Sequence, residues 1–261
     1  MTTSANAAVE PRKVEAGRGW DWLAEAFGMF RETPGIWIGI AVIYLIIILA
    51  ASAVHGGSLL STLFGPVFSG GLILACASQD AGKGVKIEHL FAGFSGGQFG
   101  QLVLLAVLYL AAILIVVLIG AVLAFAIFGL SPGHLQSMRD DPFQYLLPIL
   151  LLVTIMLGLF IPVMMGMWLA PALIVLRKLS PVDAFKLSFK ACMVNWLPLL
   201  FYGLLGLLIA ILATIPLALG WLVAAPVFFI SIYTAYRDMF PMPPPPPDFS
   251  ATQPLPVPPP L

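Results

Sequence analysis

Residues 36–54 form nineteen consecutive positions without a charge. At about 1.5 Å of rise per residue, such a helix crosses a hydrocarbon core of about 30 Å. Lipid offers no hydrogen bonds to a peptide backbone, and a helix satisfies its own, so this run reads as a transmembrane helix. Further apolar segments follow at 59–77, 102–130, 145–176, 197–217 and 221–236. The pattern predicts an all-α polytopic membrane bundle of six transmembrane helices.

The cations give this arrangement a direction. With the six segments threaded, eleven of the twelve Lys and Arg residues fall on one side, and Arg139 alone falls on the other. Basic residues stay in the compartment where the chain is made, so both termini are expected in the cytoplasm, with no cleavable signal in the polar first residues. A composition of 61% hydrophobic and 9% charged residues excludes an ordinary soluble domain. The zero formal charge gives no basic excess for nucleic acid. Cys76 and Cys192 lie near cytoplasmic ends of apolar segments and read as packing residues.

The spans differ in character. Segment 59–77 carries Ser61, Thr62 and Ser69 with Gly65, Pro66, Gly70 and Gly71, a composition that lets helices approach closely. Segments 102–130 and 145–176 exceed a perpendicular crossing, so they must tilt, protrude or break. Prolines predict kinks at Pro66, Pro162, Pro171 and Pro226, the sharpest near Pro162 or Pro171. Segments 197–217 and 221–236 predict a tight hairpin around Gly220.

Three cytoplasmic stretches read as amphipathic surface helices. In 20–32, Trp20, Leu23, Phe27 and Phe30 share a face opposite Asp21, Glu25 and Glu32. In 87–94 the stripe is Ile87, Leu90, Phe91 and Phe94. The third starts at Ser180 as N-cap with Pro181 and Asp183 in the first turn, and sets Val182, Phe185, Phe189, Cys192 and Trp196 against Lys186 and Lys190. Each stretch precedes two spans, and similar residues recur at similar separations: Tyr44, Tyr109 and Tyr202, then Pro66, Pro162 and Pro226. Two readings stand, a threefold internal repeat and convergence of apolar composition. Residues 1–16 are expected to be a disordered leader and 17–240 the membrane domain. Residues 241–261, with eleven of the 23 prolines, read as a disordered tail that samples polyproline II.

Val14 to Trp20 with Phe27, Phe30, Pro34 and Trp37, then Glu88 to Phe94, Ala170-Pro171-Ala172-Leu173, Leu179-Ser180-Pro181, Asn195-Trp196-Leu197-Pro198 and Tyr233 to Asp238, together resemble an uncharacterised family of proteobacterial multi-pass inner-membrane proteins. The resemblance covers residues 14–240 and leaves out the leader and the tail. It implies a several-span helical protein of the bacterial inner membrane, and brings no activity, substrate or catalytic residue with it. The layout is also loosely similar to the membrane domain of glycerophosphodiester phosphodiesterases, without their catalytic domain.

Ionisable residues inside a span mark ion pathways and catalytic sites, and no predicted span has one at its middle. His55, His89 and His134 have no metal-ligand spacing, so no metal, cofactor or catalytic constellation is expected. Gly17-Arg18-Gly19-Trp20 lacks the strand and lysine of a nucleotide loop, and Arg18, Trp20, Lys186, Lys190 and Trp196 are instead expected to anchor lipid headgroups. Asp21, Glu25 and Glu32 are expected to pair with Lys186 and Lys190, closing the bundle through its first and third surface helices. The loop 131–144 reads as a charged turn or as a lid. The expected function is non-catalytic: lipid contacts and contacts with a membrane or cytoplasmic protein partner, in membrane organisation or assembly. The alternative is a transporter or channel-like protein for a small uncharged or amphipathic solute.

Overall fold

The computed structural model describes residues 10–129 and 142–241. Among them every regular element is helical: α1 (Arg18–Glu32), α2 (Pro34–Ser52), α3 (Gly57–Asp80), α4 (Ala92–Ser95), α5 (Phe99–Phe128), α6 (Leu146–Trp168), α7 (Ala170–Arg177), α8 (Pro181–Val194), α9 (Trp196–Thr214) and α10 (Trp221–Met239), with short 3-10 turns at Ile87–Phe91 and Pro142–Tyr145. The leader before residue 10, most of the 131–144 loop including His134 and Arg139, and the proline-rich tail beyond Pro241 lie outside the described residues.

By length and composition, five helical segments suffice to cross a membrane: Pro34–Ser52, Leu59–Asp80, Phe99–Phe128, Leu146–Arg177 and Trp196–Thr214. The sixth expected span, α10, falls short of that hydropathy. Ser231, Tyr233, Thr234, Tyr236 and Asp238 are all buried in it, so its polar side chains are satisfied by protein rather than by water. α10 nevertheless returns antiparallel to α9, with Trp221 Nε1 donating to Thr214 Oγ1 at 3.0 Å and Tyr202 and Ser231 sharing a 2.8 Å hydrogen bond between their hydroxyls.

Helices α2–α3, α5–α6 and α9–α10 form three antiparallel pairs, and α3 packs against both α7 and α10. The core lies at one end of this bundle, where Leu72, Ile73, Cys76, Leu102, Leu105, Leu169 to Ile174 and Ile230 to Phe240 supply the buried side chains. Toward the other end, Leu49, Leu118, Val122, Leu151, Leu208 and Leu212 are exposed. The Ile87–Ser95 turns pack on α2–α3 and α8 packs on α5, α6 and α7, each on the elements before it; α1 packs on the last pair, α9–α10. Close backbone approach makes these contacts possible: a Cβ on Gly19 would sit 2.3 Å from the Pro198 carbonyl oxygen, and one on Gly93 would sit 2.1 Å from that of Val67.

Several local expectations need correction. The middle surface stretch is a 3-10 turn followed by a single α turn, because His89 Nδ1 accepts the Lys86 amide at 2.9 Å and Gly96 and Gly97 follow at once. The buried stripe of α1 is Gly19, Trp22, Leu23, Ala26 and Phe30, so Trp20 and Phe27 point outward. That of α8 is Pro181, Ala184, Ser188, Ala191 and Cys192, a row of small residues that lets it press against α6, where the Phe185 ring fills the space over Gly166. Residues 10–16, expected to be part of a disordered leader, are instead bonded to the bundle. Arg12 N donates to Met239 O at 2.8 Å, Val14 N donates to Asn195 Oδ1 at 2.8 Å, and Asn195 Nδ2 donates to Arg12 O at 3.0 Å.

The prolines also differ from one another. Pro66, Pro162 and Pro226 lie inside helices that continue through them, whereas the α6–α7 helix breaks at Leu169, just ahead of Pro171. The break is repaired from outside. The buried Ser188 hydroxyl accepts from Leu169 N at 3.0 Å and donates to Met165 O at 2.6 Å, bridging the pair that a continuous helix would join directly. Ser188→Ala is therefore expected to strand a buried amide and carbonyl and to cost about 1–3 kcal/mol. Detergent-solubilised unfolding curves of the two proteins check this, and coincident curves contradict it.

Candidate functional site

The charged end of the bundle carries the one extended polar constellation among the described residues, and it is built by helix ends. α10 finishes in Tyr233, Arg237 and Asp238, α3 finishes in Asp80, and α1 begins at Arg18. At its centre the Asp238 side chain, 6% exposed, accepts from Arg12 Nη2 at 2.5 Å, Arg18 Nε at 2.6 Å and Trp22 Nε1 at 2.9 Å. Arg18 reaches on to Asp21 and Glu25, both at 3.2 Å. Arg237 joins Glu25 at 2.7 Å to Asp80 at 2.5 Å, and the Tyr233 hydroxyl donates to Asp80 at 2.9 Å. The hydrogen bond to Asp238 also raises the Arg18 pKa above its ordinary value, so that side chain stays cationic.

Beneath the charges, Trp22, Trp168 and Tyr202 meet with ring centroids 5.6 to 6.3 Å apart, and Thr234 Oγ1 donates to Trp22 O at 2.9 Å. Beside them Gln79 donates to Met29 O and to Glu32, both at 2.7 Å, and accepts from Trp37 Nε1 at 3.0 Å. Arg177 donates to the Tyr236 hydroxyl at 3.0 Å and to Phe240 O at 2.9 Å. The carboxylates of the central cluster are therefore already engaged by arginines, a tyrosine and a tryptophan. Chemically the arrangement is a clasp: it fixes α1 across α3 and α10, and it presents no paired nucleophile and base. Burial pushes the Cys192 thiol up to about 12, and its sulfur contacts Met165 O at 3.5 Å, so this cysteine is a packing group.

Two corrections follow for the expected site residues. Arg18 turns inward to Asp238 instead of outward to headgroups. Asp21, Glu25 and Glu32 find their partners in Arg18, Arg237 and Gln79, while Lys190 pairs with Glu10. The expected bonds to Lys186 and Lys190 are not formed, because α1 lies over α9–α10 and not beside α8. Trp20 and Trp196 are 58% and 61% exposed, and Lys186 is exposed. Sequence reasoning missed Asp80, Arg237, Asp238 and Arg12 as a group. The available signal was opposite charge at helix ends otherwise poor in charge, and pairing those residues requires knowing which ends meet.

Two cavities with apolar walls lie between the helices away from the clasp. An apolar cleft of about 520 Å³ lies where α1 meets α9 and α10, lined by Leu23, Phe27, Ile209, Ala213, Val223 and Val227 among others. A crevice of about 350 Å³ lies among α3, α5, α6 and α10, where Ser61, Ser69 and Tyr109 bring hydroxyls between Met164, Trp168 and Pro171. Among the described residues no group of three or more His, Cys, Asp or Glu side chains is placed to hold a metal ion.

Asp238→Asn is expected to loosen the clasp by somewhat less than the ~3–5 kcal/mol of a fully buried pair, since Arg18 is partly hydrated. Arg12→Gln, at a residue whose side chain is 56% exposed, is expected to cost no more than about 1 kcal/mol. Thermal unfolding in detergent ranks the two variants, and a larger loss for Arg12→Gln contradicts the assignment of Asp238 as the centre.

The chain is 27% identical over 258 aligned positions to a probable inner membrane protein of Burkholderia thailandensis, covering 87% of this chain and 93% of that relative. No solved structure matches it. A family model for a domain of unknown function matches residues 89–257, a stretch that begins at His89 and continues past residue 240 into the proline-rich tail that the resemblance had left out. These likenesses and the apolar helices make it a multi-pass protein of the inner membrane, and with more than half of its length matched the chain belongs to the family of the domain of unknown function DUF7847.

Proposed function

We propose that this inner-membrane protein is a non-catalytic module that acts through lipid and protein contacts in membrane organisation or assembly. One observation carries the reading: the helices are fastened at the charged end, and beyond it they present unpartnered apolar side chains. Surface of that kind in a membrane protein is covered by acyl chains or by another membrane protein. The apolar cleft beside α1 adds to that surface. In this reading the chain crosses six times, with α10 as the last crossing and both termini in the cytoplasm, a direction that the division of basic residues supports. α1, the Ile87–Ser95 turns and α8 lie at the inner surface, where Trp20, Trp196 and Lys186 meet headgroups. The three pairs with their surface elements are copies of one unit, supported by α1 packing on the last pair as each other element packs on those before it.

The second reading, a transporter for a small uncharged or amphipathic solute, is favoured by the hydroxyl-lined crevice. Thermal unfolding with and without added phosphatidylethanolamine and phosphatidylglycerol tests the first reading. A lipid that binds the folded form at 100 times its dissociation constant stabilises by about 2.7 kcal/mol, so a rise of about 5 °C or more is expected. No lipid dependence, or glycerol flux into proteoliposomes above that of empty vesicles, overturns it. Reporter fusions after residues 80, 185 and 240 are expected to report cytoplasm and one after 137 the outside. An external signal at 80 or 185 rules out the orientation.

A further inference from the structure

The crevice holds polar groups that the fold does not use. Ser69 lies about 16 Å from the Asp80 end of α3 and Tyr109 about 15 Å from the Phe99 end of α5, at ~1.5 Å per residue, which puts both near the middle of a 30 Å hydrocarbon core. The Ser69 hydroxyl makes no hydrogen bond among the described residues, and the Tyr109 hydroxyl has only the Met164 sulfur, at 3.7 Å. Pro171 has no amide hydrogen, so the Met167 carbonyl lacks the donor a continuous helix would give it, and Met167 and Pro171 both line the crevice. Polar groups without partners are costly at this depth. Here the Ser69 hydroxyl, the weakly bonded Tyr109 hydroxyl and the turn that carries Met167 line one space of about 350 Å³, within the size range of small-molecule sites.

The lining selects the ligand. It contains no Asp, Glu, Lys, Arg or His, so a phosphate or carboxylate would enter without a counter-charge. The carbonyl demands a donor, and the two hydroxyls accept or donate. Met164, Ile232 and Trp168 supply apolar walls. We propose that the crevice binds an uncharged hydroxyl-bearing amphiphile of the diacylglycerol type, with its free hydroxyl among Met167, Ser69 and Tyr109 and its chains passing into the bilayer. This goes beyond general lipid contact, since it requires one site and discrimination by headgroup charge.

The test uses the full chain in nanodiscs, with a diazirine-bearing diacylglycerol and a phosphatidic acid carrying the same chains, and peptide mapping of the adducts. The diacylglycerol is expected to label α3, α5 or α6 around the crevice, and unlabelled diacylglycerol is expected to compete with it. Gly65→Leu is the blocking variant. A Cβ at Gly65 meets nothing within 4 Å, so a larger side chain can enter the crevice without disturbing α3, and labelling is expected to fall at least tenfold with the unfolding midpoint unchanged or raised. Ser69→Ala and Tyr109→Phe should each weaken retention about fivefold, the equivalent of one hydrogen bond of about 1 kcal/mol. Thr154→Ala, whose hydroxyl bonds its own helix at Leu150 O, should change nothing. Equal labelling by phosphatidic acid, or labelling that persists in Gly65→Leu, overturns the site; a general stabilisation by phospholipid would survive either result.

Discussion

A single carboxylate organises the charged end. Asp238 accepts from Trp22 across 216 positions of chain and from Arg12 across 226. Burying a charge is tolerable only when it is paired and fully hydrogen-bonded, and two guanidinium groups and an indole meet that condition here. The donors belong to α1 and the segment before it, so satisfying Asp238 requires the first helix to lie across the last pair. The tryptophan–tyrosine cluster, the Gly19 approach to Pro198 and the Thr234 bond to Trp22 all follow from that placement.

The same accounting of polar groups explains the α6–α7 break. Proline removes a donor and crowds the preceding turn, and in a membrane helix the stranded partners cannot turn to water. Ser188 answers both sides of the gap, donating to Met165 O and accepting from Leu169 N. A larger side chain there would hold α8 away from α6. The small stripe of Ala184, Ser188 and Ala191 is therefore a geometric requirement of the repair.

Much of the architecture was legible because lipid imposes a simple rule on sequence. The runs beginning at Ile36, Leu102 and Leu197 could only be long helices, and the Ser180 cap was read correctly, its hydroxyl accepting from Asp183 N at 3.2 Å. The rule weakens wherever protein replaces lipid as the surroundings. α10 looked like an ordinary span because Ile230 and Ile232 dominate it, yet its tyrosines, Thr234 and Asp238 belong to an interior contact. On α1, periodicity identified Leu23 and Phe30 correctly but chose Trp20 and Phe27 over Trp22 and Ala26, because Trp22 is held by a bond to Asp238 that no local pattern encodes. The partners assigned to Glu25 and Lys190 failed for the same reason: charge spacing within a helix shows what could pair, and topology decides what does.

The strap formed by residues 10–17 sets a condition on biogenesis. Its main-chain partner Met239 and its ionic partner Asp238 lie at the far end of the described residues and leave the ribosome more than 220 positions after it. Until they do, Arg18 has only Asp21 and Glu25 of its own helix as counter-ions, and Trp22 lacks the Asp238 acceptor. The first helix therefore docks last, and the strap closes only when nearly the whole chain has been made.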